Sequence, residues 1–143
     1  MILEAIIAGS DITIDGVSIA YDAVYAELPI PLLREHRASD EVGEVYQLQQ
    51  RGADLIAFCE TSETCDEYTH VSPGLRVLSH DCMKLIEVSL VQLSKSPRTQ
   101  IVRRTANDPA RDYAKLKREH TGLLIRRLQL LQQLVRTIHV THP

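Results

Sequence analysis

The alternation of apolar and polar positions predicts short β-strands over roughly the first hundred residues. "ITIDGVSI" places two β-branched runs around Asp15 and Gly16, a pair that suits a tight hairpin turn. "EVGEVYQLQQ" and "LIAFCE" flank a second turn, expected at Arg51 and Gly52. "HVSPGLRVLS" and "KLIEVSLVQL" follow, with the polar stretch "HDCM" between them. Five or six short strands joined mostly by short turns favour an antiparallel sheet that closes toward a barrel.

The last third of the chain predicts a long helix. Pro109 suits the first turn of a helix, and no proline interrupts the segment up to about Ile138. Apolar residues recur there at alternating spacings of four and three, namely Leu124, Leu128, Leu131, Val135 and Ile138. Such a stripe is typical of a coiled-coil seam. It fits either a helix that packs on its own domain or one that contacts another subunit or partner.

Charge divides the chain at about the same place. From residue 95 to the end there are 11 Lys and Arg and 3 Asp and Glu, whereas the preceding residues contain 5 and 16. The resulting prediction is an α+β protein in which residues 1–104 form a small, mostly antiparallel, closed β-barrel with flanking helices. Residues 105–143 form a basic helical arm. A cationic arm can contact nucleic acid, but the absence of aromatic interleaving and of a binding motif argues against it.

The remaining composition indicates a globular protein without a membrane segment or a metal. No apolar run approaches the ~20 residues that a membrane span requires, and the N-terminus does not resemble a secretion signal. The three cysteines form no CxxC pair, which suggests reduced thiols. Their spacing from the neighbouring histidines matches no familiar zinc pattern, so the prediction includes no metal and no cofactor.

Three residues offer chemistry. His36 ends the charged cluster of "PLLREH", and Ser72 lies on a predicted strand that also carries Gly74 and Arg76 on the same face. Glu87 lies among apolar residues, where a carboxylate requires a partner, either a structural cation or a histidine that it orients. A nucleophile, a base and an orienting acid are the requirement for acyl transfer, although their convergence is not visible in a sequence.

Three segments in order resemble the tailed-phage head maturation (prohead) serine proteases. "IPLLREHRASDEVGEVYQLQQRGADLIAFCE" resembles a family stretch of apolar-Pro-Leu-Leu-x-x-His followed by Gly-x-Val. "VSPGLRV" is similar to Leu-Ser-Ile-Gly-Phe-Arg, and "LIEVSLV" to Leu-x-Glu-Val-Ser-Leu-Val. The resemblance covers about residues 28–102. It implies a herpesvirus-protease-like barrel that cleaves scaffold and major capsid proteins inside the assembling phage head, in the host cytoplasm.

The resemblance implies a triad in which His36 is the general base, Ser72 the nucleophile and Glu87 the acid that orients the histidine. Gly74 and Arg76 are the candidates for binding the oxyanion or the substrate. Pro73 departs from the family pattern because proline has no N–H to donate to an oxyanion. This departure supports an alternative, a catalytically inactive protease-like component of the capsid or its assembly. In either case the C-terminal helix is expected to form homo-oligomers.

Overall fold

Most of the regular structure consists of β-strands. The structure is a computed structural model and describes residues 1–63, 65–106 and 109–141. For residues 109–116 and 135–141 the backbone alone is described. The chain divides into two compact units, residues 1–106 and 107–143. The first unit contains all the described strands, and the second contains the long helix.

The elements follow one another along the chain with short connections. The strands are β1 Ile2–Gly9, β2 Thr13–Ile14, β3 Val17–Ser18, β4 Val24–Tyr25, β5 Ile30–Arg34, β6 Arg37–Arg51, β7 Asp54–Thr61, β8 His70–Ser79, β9 Cys82–Val91 and β10 Ile101–Thr105. A 3₁₀ turn spans Tyr21–Ala23, where a short α-helix was expected from "YDAVYAEL". The helix α1 spans Pro109–Thr141. Within the described residues, no helix is both long enough and apolar enough to cross a membrane.

The predicted α+β class with a closed antiparallel barrel is wrong. The described strands form a mixed eight-stranded sheet in the order β10-β1-β7-β6-β5-β9-β4, with β8 added to β9, and this sheet does not close. The expected flanking helices are also missing from the described part of the first unit, which contains only the 3₁₀ turn. The mixed character comes from β9, which pairs in parallel with β5 and β4 on one edge and antiparallel with β8 on the other.

The local turn signals, in contrast, are confirmed. Strands β2 and β3 pair around Asp15 and Gly16, whose φ angles of 52° and 78° are those of a primed hairpin turn. The β6–β7 hairpin turns at Gly52 and Ala53, one residue later than expected, because Arg51 is still paired with Asp54. Strands β8 and β9 form a third hairpin, and its turn lies within the predicted polar stretch "HDCM".

A bulge divides strand β9, which lies near one end of the main sheet, between β5 and β8. Opposite the consecutive residues Gly74 and Leu75 lie Glu87 and Leu85, so Ile86 is the extra residue of a β-bulge. The bulge reverses the alternation of faces. Leu85 therefore points into the core with Val88, both without exposed surface, and Glu87 is on the opposite face. A strict period of two would instead put Leu85 and Glu87 on the same face.

Candidate active site

His36 lies in a strained turn between β5 and β6. Glu35 and His36 are the two central residues of this turn, and their φ angles of 49° and 57° are left-handed. Such turns prefer Gly, which has no Cβ, and Asn, whose short polar side chain can hydrogen-bond locally. Other residues adopt this conformation at a cost of about 1–2 kcal/mol. Hydrogen bonds to the end of β9 offset the cost. The Glu35 N–H donates to the Leu90 carbonyl oxygen at 2.9 Å, and Glu35 Oε1 accepts from the Gln92 N–H at 2.8 Å.

The carboxylate of Glu87 reaches His36 across the strand pair. Its Oε1 is 2.5 Å from His36 Nδ1, and 12% of the Glu87 side chain is exposed, against 45% of the His36 side chain. The sequence had left open a structural ion pair with Arg34 or Arg76. Arg34 instead binds Asp40 at 3.2 Å and Glu63 at 2.5 Å.

Ser89 completes a ring of hydrogen bonds. Its hydroxyl donates to Glu87 Oε2 at 2.6 Å and accepts from the His36 backbone N–H at 3.0 Å. Ser89 has no exposed surface, so both bonds are shielded from water. Ser89 was not among the predicted site residues, although the period of two in "EVS" places it on the same strand face as Glu87. No comparable signal marked Glu35.

The ring of hydrogen bonds determines which nitrogen of the His36 imidazole can accept a proton. With Nδ1 donating its proton to the carboxylate, Nε2 has its lone pair available to accept a proton from another group. An acid that holds one ring nitrogen and leaves the other facing a reactant is the base–orienter pair of a catalytic triad. The contact between His36 and Glu87 thus has the chemistry expected for general-base catalysis.

Ser72 lies on β8 directly opposite Ser89 and is 6% exposed. It lines the same cavity as His36, and the cavity volume is about 290 Å³. Among the described residues, the Ser72 hydroxyl has no hydrogen-bond partner, and His36 is therefore not bonded to it. The structure brings His36 and Glu87 into contact and places Ser72 beside the same cavity, without the second contact of a triad.

Gly74 leaves the space that the Glu87 side chain occupies. It lies opposite Glu87, and a Cβ at this position would overlap the Glu87 Cγ, Cδ and Oε1 atoms. This contact gives Gly74 a role that differs from the predicted oxyanion binding. Arg76, the other candidate, is exposed, and none of the described residues pairs with its guanidinium.

Pro73 occupies a position where a missing N–H costs no strand pairing. The Val71 N–H points away from β9, since it donates to the Thr99 carbonyl oxygen at 3.0 Å. Alternation along a strand directs the amide side of residue 73 the same way, toward the edge of β8 that β9 does not cover. The same alternation directs the Gly74 amide toward β9. Neither amide that follows Ser72 can therefore stabilise an oxyanion at this edge, because Pro73 has no N–H and the Gly74 N–H points toward β9.

The cysteines do not contribute to the site. Burial raises the pKa of the Cys59 thiol to about 12, so this thiol is a poor nucleophile at neutral pH. Cys65 is also buried, and Cys82 is partly exposed at the start of β9. Among the described residues, no three His, Cys, Asp or Glu side chains are grouped so that they could hold a metal ion.

For the peptidase activity proposed below, replacing Gly74 by alanine is expected to lower kcat by about 10²-fold with little change in KM. The new methyl group would displace the Glu87 side chain from His36, and a misplacement of about 1 Å in a catalytic group costs this much. Peptide-cleavage kinetics of Gly74→Ala would measure the effect. Gly122→Ala is the matched control, since nothing lies near its added Cβ. Full activity in Gly74→Ala would contradict the role of Glu87.

Comparisons of the chain with protein-family models, curated proteins and solved structures find no match. The resemblance to the head maturation proteases therefore remains a prediction from three short segments. What supports a function is the geometry around His36, Glu87 and Ser72.

Proposed function

We propose that this chain is a serine endopeptidase in which His36, Ser72 and Glu87 form the catalytic triad. The observation that carries the proposal is the 2.5 Å contact between His36 Nδ1 and Glu87 Oε1. The contact requires a strained turn, a β-bulge and a glycine, each of which departs from regular strand structure. Strain of this kind persists where the surrounding structure enforces it, and it concentrates at functional sites.

The proposed reaction is acyl transfer. Ser72 Oγ attacks the carbonyl carbon of a peptide bond while His36 Nε2 takes the hydroxyl proton, and Glu87 stabilises the imidazolium that forms. Collapse of the tetrahedral intermediate breaks the C–N bond, and the imidazolium gives its proton to the leaving amine. Water then hydrolyses the acyl-enzyme by the same proton transfers. Catalytic hydrogen bonds are often long before substrate binds, which is compatible with the unbonded Ser72 hydroxyl.

The uncovered edge of β8 offers a place for the substrate backbone. This edge is occupied as far as Val71, because His70 bridges to Gln100 and the Val71 N–H donates to the Thr99 carbonyl oxygen. Beyond Val71, the described part of the chain gives β8 one strand neighbour, β9. An extended peptide can add to such an edge through main-chain hydrogen bonds. The added strand would run beside the part of β8 that begins at Pro73, which brings its carbonyl groups close to the neighbouring Ser72.

The substrates that we propose follow from the resemblance to the head maturation proteases. They are the scaffold and major capsid proteins of a tailed phage, cleaved inside the assembling head in the host cytoplasm. Incubating the full-length protein with these proteins from its own phage, and identifying new termini by mass spectrometry, tests the proposal. Discrete cleavage sites that disappear with His36→Ala would support it. Intact substrates would contradict it.

A catalytically inactive assembly component is the second candidate. Two observations favour it: the Ser72 hydroxyl has no hydrogen bond to His36, and Pro73 removes an amide donor at the uncovered edge. Loss of one oxyanion donor typically costs about 3 kcal/mol of transition-state stabilisation. Such a protein would bind the scaffold or capsid proteins without producing new termini, so the same mixture distinguishes the two candidates by co-sedimentation and mass spectrometry.

Deleting residues 107–143 is expected to convert an oligomer into a monomer while residues 1–106 remain folded. The described side chains of α1 include Leu124, Leu128 and Leu131, whose exposed fractions are 45–59%. Leucines at this spacing are buried well against another helix. Light scattering after size exclusion would measure the mass of both forms.

A double variant separates this leucine stripe from the charge of the helix. Arg126→Glu with Arg127→Glu reverses two exposed charges and leaves the leucines in place, so the oligomer should persist. A monomeric full-length protein, or a truncated chain that unfolds, would refute the proposed role of α1.

A further inference from the structure

The cavity beside Ser72 is mostly apolar. Aliphatic side chains supply most of its lining, namely Ile14, Val17, Ile19, Leu75, Val77 and Met83. Ile19 and Met83 are almost completely buried, whereas 40% of Val17 and 58% of Val77 are exposed. The cavity thus runs from the hydrophobic core to an apolar rim at the surface. Its volume of about 290 Å³ is at the lower end of small-molecule sites, which span roughly 300–1,000 Å³.

The charged groups around the cavity neutralise one another. Lys95 and Asp15 both line it, and their Nζ and Oδ2 atoms are 2.7 Å apart. The His36 ring is already paired with Glu87. A charged ligand would therefore find no unpaired counter-ion among the described lining residues, and burying its charge would be costly. Burying an aliphatic group in the cavity is favourable instead, because it removes apolar surface from water.

A hairpin from the N-terminal part of the chain forms one wall of the cavity. Ile14, Asp15 and Val17 belong to the β2–β3 hairpin, which lies outside the main sheet. The hairpin is anchored through Ile19, whose N–H donates to the Ile12 carbonyl at 2.9 Å and whose carbonyl accepts from the Gly9 N–H at 2.8 Å. The Lys95–Asp15 ion pair connects its tip to the segment after β9.

We propose that this cavity binds one aliphatic side chain of the substrate, next to the bond that Ser72 attacks. The inference rests on the proposed peptidase function and adds the class of residue that the site accepts. The cavity contains both His36 and Ser72 in its lining, so a side chain seated there lies beside the reacting groups. Substrates with an aliphatic residue at that position should react faster than those with a charged one.

Alkyl fluorophosphonates that carry ethyl, butyl or hexyl groups test this preference directly. Ser72 Oγ would form a bond to phosphorus, fluoride would leave, and the hydroxyl proton would pass to His36. We expect butyl to label about tenfold faster than ethyl, because each buried methylene adds to the stabilisation. A probe of butyl length that ends in a carboxylate or an ammonium group should label more slowly than butyl.

Val17→Asp is expected to abolish the chain-length preference, so that the butyl probe labels no faster than the ethyl probe. It introduces a carboxylate into the apolar wall at a partly exposed position. Val102→Asp, on β10 and 45% exposed, is the matched control, because Val102 does not line the cavity. Equal labelling by all chain lengths, or faster labelling by a charged probe, would overturn the aliphatic preference and leave the peptidase proposal intact. Absence of labelling by every probe would overturn both.

Discussion

Replacing Ser72 by alanine is expected to lower the rate of peptide cleavage by at least about 10⁴-fold, as loss of the nucleophile does in serine proteases. The fold should survive, because the Ser72 hydroxyl has no hydrogen-bond partner among the described residues. Removing it leaves no buried partner unsatisfied, so the free energy of unfolding should change little. Cleavage assays and thermal unfolding would measure the two effects.

Two other serines make this test specific. Ser79→Ala is the control on the same strand: the Ser79 hydroxyl is exposed and donates to Asp81 Oδ1 at 2.7 Å, a bond that lowers the pKa of this carboxyl. Its activity should equal that of the unmodified protein. Ser89 is closer to the acid but is fully buried and already engaged in two hydrogen bonds. Undiminished cleavage by Ser72→Ala would exclude Ser72 as the nucleophile.

Glu87→Gln is expected to lower kcat by about 10³- to 10⁴-fold, with a smaller change in KM. A glutamine has nearly the same shape but can direct its amide N–H toward His36 Nδ1, which would place the imidazole proton on Nε2, the nitrogen that has to accept a proton. The amide also lacks the negative charge that stabilises the imidazolium. The analogous change in a Ser-His-Asp triad costs about 10⁴-fold.

The matched control for the acid is Glu27→Gln. Glu27 is an exposed carboxylate that pairs with Lys84 at 3.4 Å, and it does not contact His36. We expect its kinetics to be unchanged. Steady-state kinetics would compare the activity of both variants, and circular dichroism would verify that both are folded. If Glu87→Gln and Glu27→Gln retained the same activity, Glu87 would have only a structural role.

The local structure of this chain was largely predictable from its residues. The Asp15–Gly16 hairpin, the pairing of β8 with β9 and a long helix from Pro109 all follow from signals within a few residues of one another. Turn chemistry and periodicity act over this short range, so they can be read without knowledge of the rest of the chain. Glu87 was also recognisable as a carboxylate in need of a partner.

Whether the sheet closes or stays open was not predictable in this way. Strand β9 pairs with segments more than fifty residues earlier in the chain, such as Leu32 with Val88 and Val24 with Met83, and these pairings are parallel. Alternating patterns are the same for a strand in a barrel and a strand in an open mixed sheet. Which edges meet depends on packing between distant segments.

Residue types and their surroundings were enough to mark His36, Ser72 and Glu87 as candidates for chemistry. They could not show the contact between His36 and Glu87, which forms only in the folded chain. That contact depends on left-handed backbone at Glu35 and His36, where neither residue favours it, and on a bulge that reverses the face of Glu87. Local preferences oppose the first feature, and a strict period of two misses the second. Hydrogen bonds and packing supplied by distant strands overcome them, because their combined free energy exceeds the roughly 1–2 kcal/mol that each strained residue costs.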